Sequence, residues 1–132
     1  MSHSELNPPS LHSPVGIGHS HVADLTSKGL VLIAGQYGVG PDGAVVSQDF
    51  GEQVEHAFVN LGTALAAVGL DYSNVARIGT YLVDHDADDL TVLGGVINRI
   101  WGDKVPVQTL LGVASLASPE MRFEVDALAV RS

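Results

Sequence analysis

Apolar residues recur at helical spacing in two segments of the chain. In 49–68 they come at steps of three and four residues, and Gly69 follows as a stop signal. A second stripe covers 90–101, and aspartates lie just before it, where a helix N-terminus favours negative charge. The pattern predicts two amphipathic helices, each of which must bury its apolar side against another layer.

Strand patterns surround these two helices. They lie at 21–26 and 30–36, which a polar turn at Lys28-Gly29 separates, in a short stretch after an Asp42-Gly43 turn, and at 75–83, 105–116 and 121–130. The order β-β-(β)-α-β-α-β-β indicates an α+β protein. We expect one sheet with both helices on a single face.

The last strand has two unlike sides. Met121, Phe123, Val125, Ala127 and Ala129 alternate with Arg122, Glu124, Asp126, Leu128 and Val130. The first set is apolar and suits the helix layer. The second mixes charges with aliphatic side chains, which suits an oligomer interface or a cleft better than open solvent, so we expect this face to meet another subunit.

Composition limits the class of protein. The chain has 132 residues, 45% of them hydrophobic, and a mean hydropathy of +0.25, so one domain can form a real core. Its polar, Pro- and Ser-rich start predicts a flexible arm over 1–15, followed by a single domain over 16–132. There is no cysteine, which excludes disulfides, thiolate nucleophiles and cysteine-bound metals.

Charge argues against nucleic acid as a partner. Six Lys and Arg residues face fifteen Asp and Glu residues, for a net charge of −9, which repels phosphate backbones. The longest apolar stretches, such as 30–35, are far shorter than the roughly 20 residues of a membrane-spanning helix. No secretory signal pattern opens the chain. We therefore expect a cytoplasmic protein that binds neither nucleic acid nor membrane.

Two segments near the C-terminus carry a family resemblance. Pro106-Val107-Gln108-Thr109 opens one strand, and Phe123-Glu124-Val125 opens the next. Together they resemble the signature of the Rid family (YjgF/endoribonuclease L-PSP-like), in which a Pro-x-Arg-Ser strand precedes an apolar-Glu-apolar strand. The strand 30–36 resembles the family's apolar strand ending in Ser-Gly-Gln, and 52–84 is similar to its helix, turn and strand. The resemblance spans about residues 18–130 of this sequence.

The resemblance implies a chorismate-mutase-like α+β fold and a homotrimer whose sheets face a central barrel. It also implies small-molecule clefts between subunits, no cofactor and no metal. Family enzymes hydrolyse imines and enamines derived from amino acids. They grip the substrate carboxylate with an arginine, which can pair with a planar anion through two charge-assisted hydrogen bonds.

This sequence departs from the family pattern at the arginine, where Gln108 stands. An uncharged amide in that place forfeits about 1.5–3 kcal/mol of charged hydrogen bonding. The family's tyrosine corresponds to His19, an asparagine to Gly94, and the residues after the arginine to Thr109 and Leu110. Glu124 is retained.

Glu124 is the predicted catalytic residue, as the carboxylate that orients or deprotonates the attacking water. The alternative is an exposed strand residue paired with Arg122 or another cation. The predicted substrate-binding residues are Gln108, His19, Gly35, Gln36, Tyr37, Leu110, Gly94 and Arg122. We expect Arg122 to share the strand face of Glu124, where it could replace the missing cation.

Two other signals favour structure over chemistry. His19 and His21 lie two apart on a predicted strand, as metal ligands often do, but a third ligand at suitable spacing is absent. We expect surface or interface histidines and no metal. The acidic run 84–89 lacks the spacing of a calcium loop and is interpreted as a helix cap.

Three functions remain open from the sequence. The first is a Rid-like hydrolase acting on an imine or enamine that lacks a carboxylate in the usual place. The second is a non-catalytic trimer that binds a metabolite or a partner, and the third is a pathway-specific enzyme acting on a specialised intermediate. Loss of the arginine favours the last two, whereas retention of Glu124 favours the first and the third.

Overall fold

The computed structural model describes residues 4–13, 20–25 and 29–131. Its strands and helices, numbered in chain order, are β1 (Ser4–Leu6), β2 (Val22–Leu25), β3 (Leu30–Tyr37), α1 (Phe50–Ala66), β4 (Val75–Val83), α2 (Ala87–Trp101), β5 (Val107–Val113) and β6 (Phe123–Val130). The two helices and the strands at 75–83, 105–116 and 121–130 are confirmed. Helix α1 and strands β5 and β6 are slightly shorter than predicted, β4 has the predicted bounds, and α2 begins at Ala87, before the apolar stripe. Lys28 of the predicted turn lies outside the described residues.

The strands form one six-stranded sheet in the order β1-β2-β3-β6-β4-β5. All neighbours are antiparallel except β4 and β5, which are parallel, because α2 carries the chain back between them. Both helices pack on this mixed sheet. The predicted α+β fold with one sheet and two helices is therefore confirmed.

Aspartate side chains begin both helices. Asp49 accepts a hydrogen bond from the Glu52 N–H at the start of α1. At the start of α2, Asp86 accepts from the Asp89 N–H while the Asp89 carboxylate accepts from the Asp86 N–H. The acidic run at 84–89 is thus a helix cap, as its sequence predicted.

The side chains of β6 alternate between the two faces of the sheet. Phe123, Val125, Ala127 and Ala129 are buried in the core with α1 residues such as Phe58. Since side chains alternate along a strand, Glu124 and Asp126 lie on the opposite side. We call these the helix-covered face and the helix-free face.

Two segments near the N-terminal half differ from the sequence prediction. The stretch after the Asp42-Gly43 turn is not a strand, because Val45 makes only an isolated bridge to Val39. Conversely, residues 4–6 pair with β2 inside the segment predicted to be a flexible arm, and Leu11 is only 4% exposed within the core. The hydrophobic pattern missed β1 because its three residues are too few to show a period.

The length and apolar character of a helix decide whether it can cross a membrane. Among the residues that the structure describes, no helix is both long and apolar enough to cross a bilayer.

Candidate active site

Glu124 lies directly over the backbone of Gly35. Strand β3 carries a bulge here, because Ile33 pairs with Ala127 whereas Gln36 pairs with Val125, which leaves one extra residue in β3. A Cβ atom on residue 35 would collide with the Glu124 carboxylate and would lie 2.5 Å from its Cδ. Glycine at position 35 therefore makes the space that the Glu124 side chain occupies.

Tyr37 is the cross-strand neighbour of Glu124. Their Cα atoms are partners in the β3–β6 pairing, so both side chains lie on the helix-free face. The Tyr37 hydroxyl donates a hydrogen bond to the Glu124 carboxylate. Burial of the phenol raises the pKa of Tyr37, and the hydrogen bond and negative charge of Glu124 raise it further. Tyr37 is thus a neutral donor to Glu124 at physiological pH.

A second polar cluster surrounds Asp126, two residues farther along β6. One Asp126 oxygen accepts from the Tyr81 hydroxyl at 2.8 Å, and the other accepts from the Gly79 N–H at 3.0 Å. Arg77 Nη1 lies 3.5 Å from the same oxygen as Gly79. Burial raises the pKa of Tyr81, and its hydrogen bond to Asp126 adds to the effect. Because each carboxylate oxygen is engaged within the chain, this cluster serves to join β4 to β6.

The sequence analysis missed the contribution of β4 to this face. The signal was present, since Arg77 and Tyr81 are polar or amphipathic residues at even spacing in an otherwise apolar strand. The strand order, which places β4 beside β6, was needed to bring them together with Asp126.

Gln108 lies on the other face of the sheet. It pairs with Ile78, a core residue that itself pairs with Ala127 on the helix-covered face. Its side-chain oxygen accepts a hydrogen bond of 3.0 Å from the hydroxyl of buried Thr80. With that oxygen engaged, the groups that the amide can still offer are its N–H donors.

Gln108 and Glu124 are therefore separated by the sheet within one chain. Leu110 lies on the side of Gln108, pairs with Thr80 and packs against the core. Gly94 is exposed on α2 with open space around the position of a Cβ. A single chain thus brings together Gly35, Tyr37 and Glu124, but not Gln108, Leu110 and Gly94 with them.

Gln36 and His21 form a buried, hydrogen-bonded pair. Gln36 is 1% exposed, and its amide donates to His21 Nδ1 at 3.1 Å and to the Ala34 carbonyl oxygen. His21 Nε2 donates to the His12 carbonyl oxygen at 2.8 Å. The expectation of a surface or interface His21 is wrong, because both ring nitrogens are satisfied inside the protein.

The histidine pair expected from the sequence is only half described, since His19 lies outside the described residues. Within the described part of the chain, no group of three His, Cys, Asp or Glu side chains is arranged to hold a metal ion.

Arg122 does not share the face of Glu124. It precedes β6, and its guanidinium donates to the Asp89 carboxylate of α2 at 2.9 Å while lying 5.1 Å from the Phe50 ring centroid. This expectation is wrong because the strand alternation begins only at Phe123, after the Arg122 N–H has bonded to the Gln53 side chain. Among the described residues, Arg77 is a cation on the helix-free face, and it is paired with Asp126.

Comparison with known proteins shows which family and which proteins this chain resembles. The family model described as Endoribonuclease L-PSP matches residues 13–131. A 2-iminobutanoate/2-iminopropanoate deaminase of Bos taurus is 29% identical over 120 residues, which cover 90% of this chain and 85% of the relative. The RutC family protein YjgH of Escherichia coli is 30% identical over 110 residues, covering 81% of each chain. The solved structure of protein YJGH aligns with a TM-score of 0.87 at 26% identity, covering 99% of this chain and 98% of that one.

Proposed function

Because the chain belongs to the Endoribonuclease L-PSP family, the Rid family of the sequence resemblance, we propose that it hydrolyses the C=N bond of a small imine or of the imine form of an enamine. The observation that carries the proposal is Glu124, whose carboxylate lies over Gly35 and accepts a hydrogen bond from Tyr37. The names of the curated relatives, which include imine deaminases, support the same reaction class.

Glu124 is the general base of this proposal. It takes a proton from water as the water oxygen bonds to the imine carbon, which gives a carbinolamine. Glu124 passes that proton to the imine nitrogen, which completes the neutral carbinolamine. The hydroxyl proton then moves to the same nitrogen as the C–N bond breaks and the C=O bond forms, so the carbonyl product and ammonia leave. Tyr37 donates a hydrogen bond to Glu124, which orients the carboxylate that takes the water proton.

The substrate differs from that of arginine-bearing relatives, because the chain has no free guanidinium to grip a carboxylate. Gln108 offers only N–H donors. All four arginines of the sequence are paired with carboxylates: Arg77 with Asp126, Arg99 with Glu55, Arg122 with Asp89 and Arg131 with Asp24. We expect slow turnover of imines of simple amino acids.

We further propose a homotrimer with its sites between subunits. Two features support it: Gln108 and Glu124 occupy opposite faces of one sheet, and the helix-free face carries partly buried aliphatic and charged residues such as Leu128. Packing the helix-free face of one chain beside the β5 edge of the next would bring the two halves together. The cytoplasmic location and the absence of nucleic-acid and membrane partners stay predictions.

The test is ammonia release from imines generated in place by an amino-acid or amine oxidase, with and without the protein. Catalysed release from at least one imine, above the spontaneous rate, is the expected result. Saturable ligand binding without accelerated release from any imine in the panel would reject the hydrolase in favour of the non-catalytic binding trimer, which the uncharged Gln108 also favours.

A further inference from the structure

A cavity of about 540 Å³ opens beside the Tyr37–Glu124 pair. Its lining comes from the N-terminal segment (His12, Ser13), the end of β3 and the following turn, and the loop before β6, including Met121. The volume lies within the range of roughly 300–1,000 Å³ typical of small-molecule sites. Since Tyr37 lines the cavity and hydrogen-bonds to Glu124, the carboxylate is one hydrogen bond away from its wall.

Buried side-chain amides of α1 hydrogen-bond to two of the segments that line the cavity. Asn60 Nδ2 donates to the carbonyl oxygens of Tyr37 and Val39, at 2.9 Å each. Gln53 donates to the Glu120 carbonyl oxygen at 2.9 Å and accepts from the Arg122 N–H at 2.8 Å, on either side of Met121. Buried hydrogen-bond networks that are satisfied in this way rigidify the segments they join.

The N-terminal segment with His12 and Ser13 forms the third wall of the cavity, and His21 hydrogen-bonds to it. The His21 Nε2–H donates to the His12 carbonyl oxygen, and the His12 and His21 rings meet edge to face with centroids 4.8 Å apart. Gln36 in turn fixes His21 from β3. The segment that carries His12 and Ser13 is therefore anchored to the sheet beside the cavity, and the cavity is preformed.

The charges around the cavity are negative. Among its lining residues in the described part of the chain, Asp42 carries a carboxylate, His12 is an ionisable base, and there is no Lys or Arg. Glu124 adds a second carboxylate, which is hydrogen-bonded to Tyr37 of the lining. The other lining is largely apolar, from Val39, Pro41, Ala117 and Met121. A carboxylate placed here would meet two carboxylates and, among the described lining residues, no Lys or Arg, which raises its free energy in a partly desolvated site.

We propose that this cavity binds the body of a neutral or cationic, mainly apolar small molecule and excludes carboxylates. The inference rests on the proposed function only in placing the C=N group of such a molecule at Glu124. The substrate class would then be an imine of an amine without a carboxylate, larger than the imines of three- and four-carbon amino acids.

The test uses the two methionine methyl groups of the full chain as reporters. Met1 and Met121 are the only methionines, so a ¹³C-methyl-methionine spectrum has two signals, and Met121→Leu assigns them. Benzyl alcohol, benzylamine and benzoate are the probes, because they share a ring and differ in charge. We expect the first two to shift the Met121 signal saturably, with benzoate at least tenfold weaker. Equal binding of benzoate, or no saturable shift with any probe, would overturn the inference.

Matched variants locate the binding. Ser13→Trp places a large ring at the cavity wall and should abolish the shifts, whereas Ser10→Trp, an exposed position on the same segment outside the cavity lining, should leave them intact. Asp42→Asn keeps an oxygen that can accept from the Ala44 N–H but removes the negative charge. It should therefore reduce the difference in affinity between benzylamine and benzoate. If the affinity difference between benzylamine and benzoate is the same in Asp42→Asn as in the wild type, charge does not explain the discrimination against carboxylates. This outcome can be read even if a tryptophan variant fails to fold.

Turnover separates this inference from the proposed function. Benzaldimine, made from benzylamine by an amine oxidase, should be hydrolysed faster than 2-iminopropanoate, made from alanine by an amino-acid oxidase. If the charge-selective shifts appear and no imine of the panel is hydrolysed, the result supports the cavity inference and rejects the hydrolase. If 2-iminopropanoate is the better substrate, the result supports the hydrolase and rejects the inference that the cavity excludes carboxylates.

Discussion

Glu124 and the position of a side chain on residue 35 compete for the same space above β3. A Cβ on residue 35 would lie 2.5 Å from the carboxylate carbon of Glu124, closer than nonbonded carbon atoms approach. Gly35 is not among the glycines with positive φ, so the requirement for glycine is the carboxylate above it and not an unusual backbone. The position of the Glu124 side chain therefore depends on the absence of a Cβ at residue 35, which lies in the bulge of β3.

The first prediction is that Gly35→Ala destabilises the protein and displaces Glu124. Overpacking of this kind costs roughly 1–3 kcal/mol of the free energy of unfolding, measured by urea denaturation. In Glu124→Ala the space is empty, so adding Gly35→Ala to that variant should cost much less.

Gly95→Ala serves as the control for Gly35→Ala, because a Cβ there meets open space on α2 and alanine favours a helix. It should leave stability unchanged or raise it slightly. A similar loss from Gly35→Ala with and without Glu124 would contradict the collision.

The elements of the fold could be predicted from hydrophobic spacing, whereas the bulge could not. Helix α1 and strand β6 have clear periods of 3.6 and 2 residues, which local sequence determines. The bulge at Gly35 depends on the register of β3 against β6, which is a long-range property. Strand β1 left no sequence signal because its three residues are too few to show a period.

The candidate site was predicted residue by residue but not in its arrangement. Glu124 and Tyr37 could be chosen separately, and their hydrogen bond follows from being cross-strand partners. The misplacement of Arg122 had a local cause, since the predicted strand began at residue 121, two residues before the start of β6 at Phe123. That Gln108 lies on the opposite face required the parallel pairing of β4 with β5.

The second prediction concerns the three tyrosines, all of which have raised pKa values. Burial is the largest cause for Tyr37, Tyr72 and Tyr81 alike. Phenolate absorbance of the folded protein should therefore appear above the usual pKa of 10.0, and in denaturant it should return to that value. Because the folded pKa is the higher one, this stabilisation is fully present below pH 10 and is lost as the pH rises further.

Tyr37→Phe isolates the largest of these shifts. The variant should lose less stability than the wild type between pH 9 and 11, when urea denaturation is followed across that range. Three phenols that all titrate near 10.0 in the folded protein would show that the burial and the contact with Glu124 do not hold in solution.

The third prediction is that Gln108→Arg creates carboxylate binding. Restoring a charge-assisted pair should tighten 2-oxobutanoate binding roughly ten- to a hundredfold, measured by calorimetry. Hydrolysis of 2-iminopropanoate need not rise in proportion, because Gly94 and His19 also depart from the family pattern. Gln48→Arg adds the same charge at an exposed loop position and should have little effect. Equal affinities in both variants would place the ligand away from residue 108.

The fourth prediction is a trimer in solution. Light scattering at micromolar concentration should give about 41 kDa, three times the 13.7 kDa of the chain. Leu128→Lys, which places a charge at a half-buried position of the helix-free face, should lower the mass without unfolding the chain. A mass of 13.7 kDa for the wild type would remove the site between subunits.

The most direct test of the account is the rate of ammonia release by Glu124→Gln beside Asp126→Asn. Both remove one negative charge from the helix-free face, and glutamine keeps an oxygen that can accept from Tyr37. On the best imine substrate of the wild type, Glu124→Gln should lose about a hundredfold to ten-thousandfold in rate, as for removal of a general base, while Asp126→Asn should stay within about threefold. An equal rate in Glu124→Gln and the wild type would show that Glu124 is not the base and would contradict the proposed mechanism.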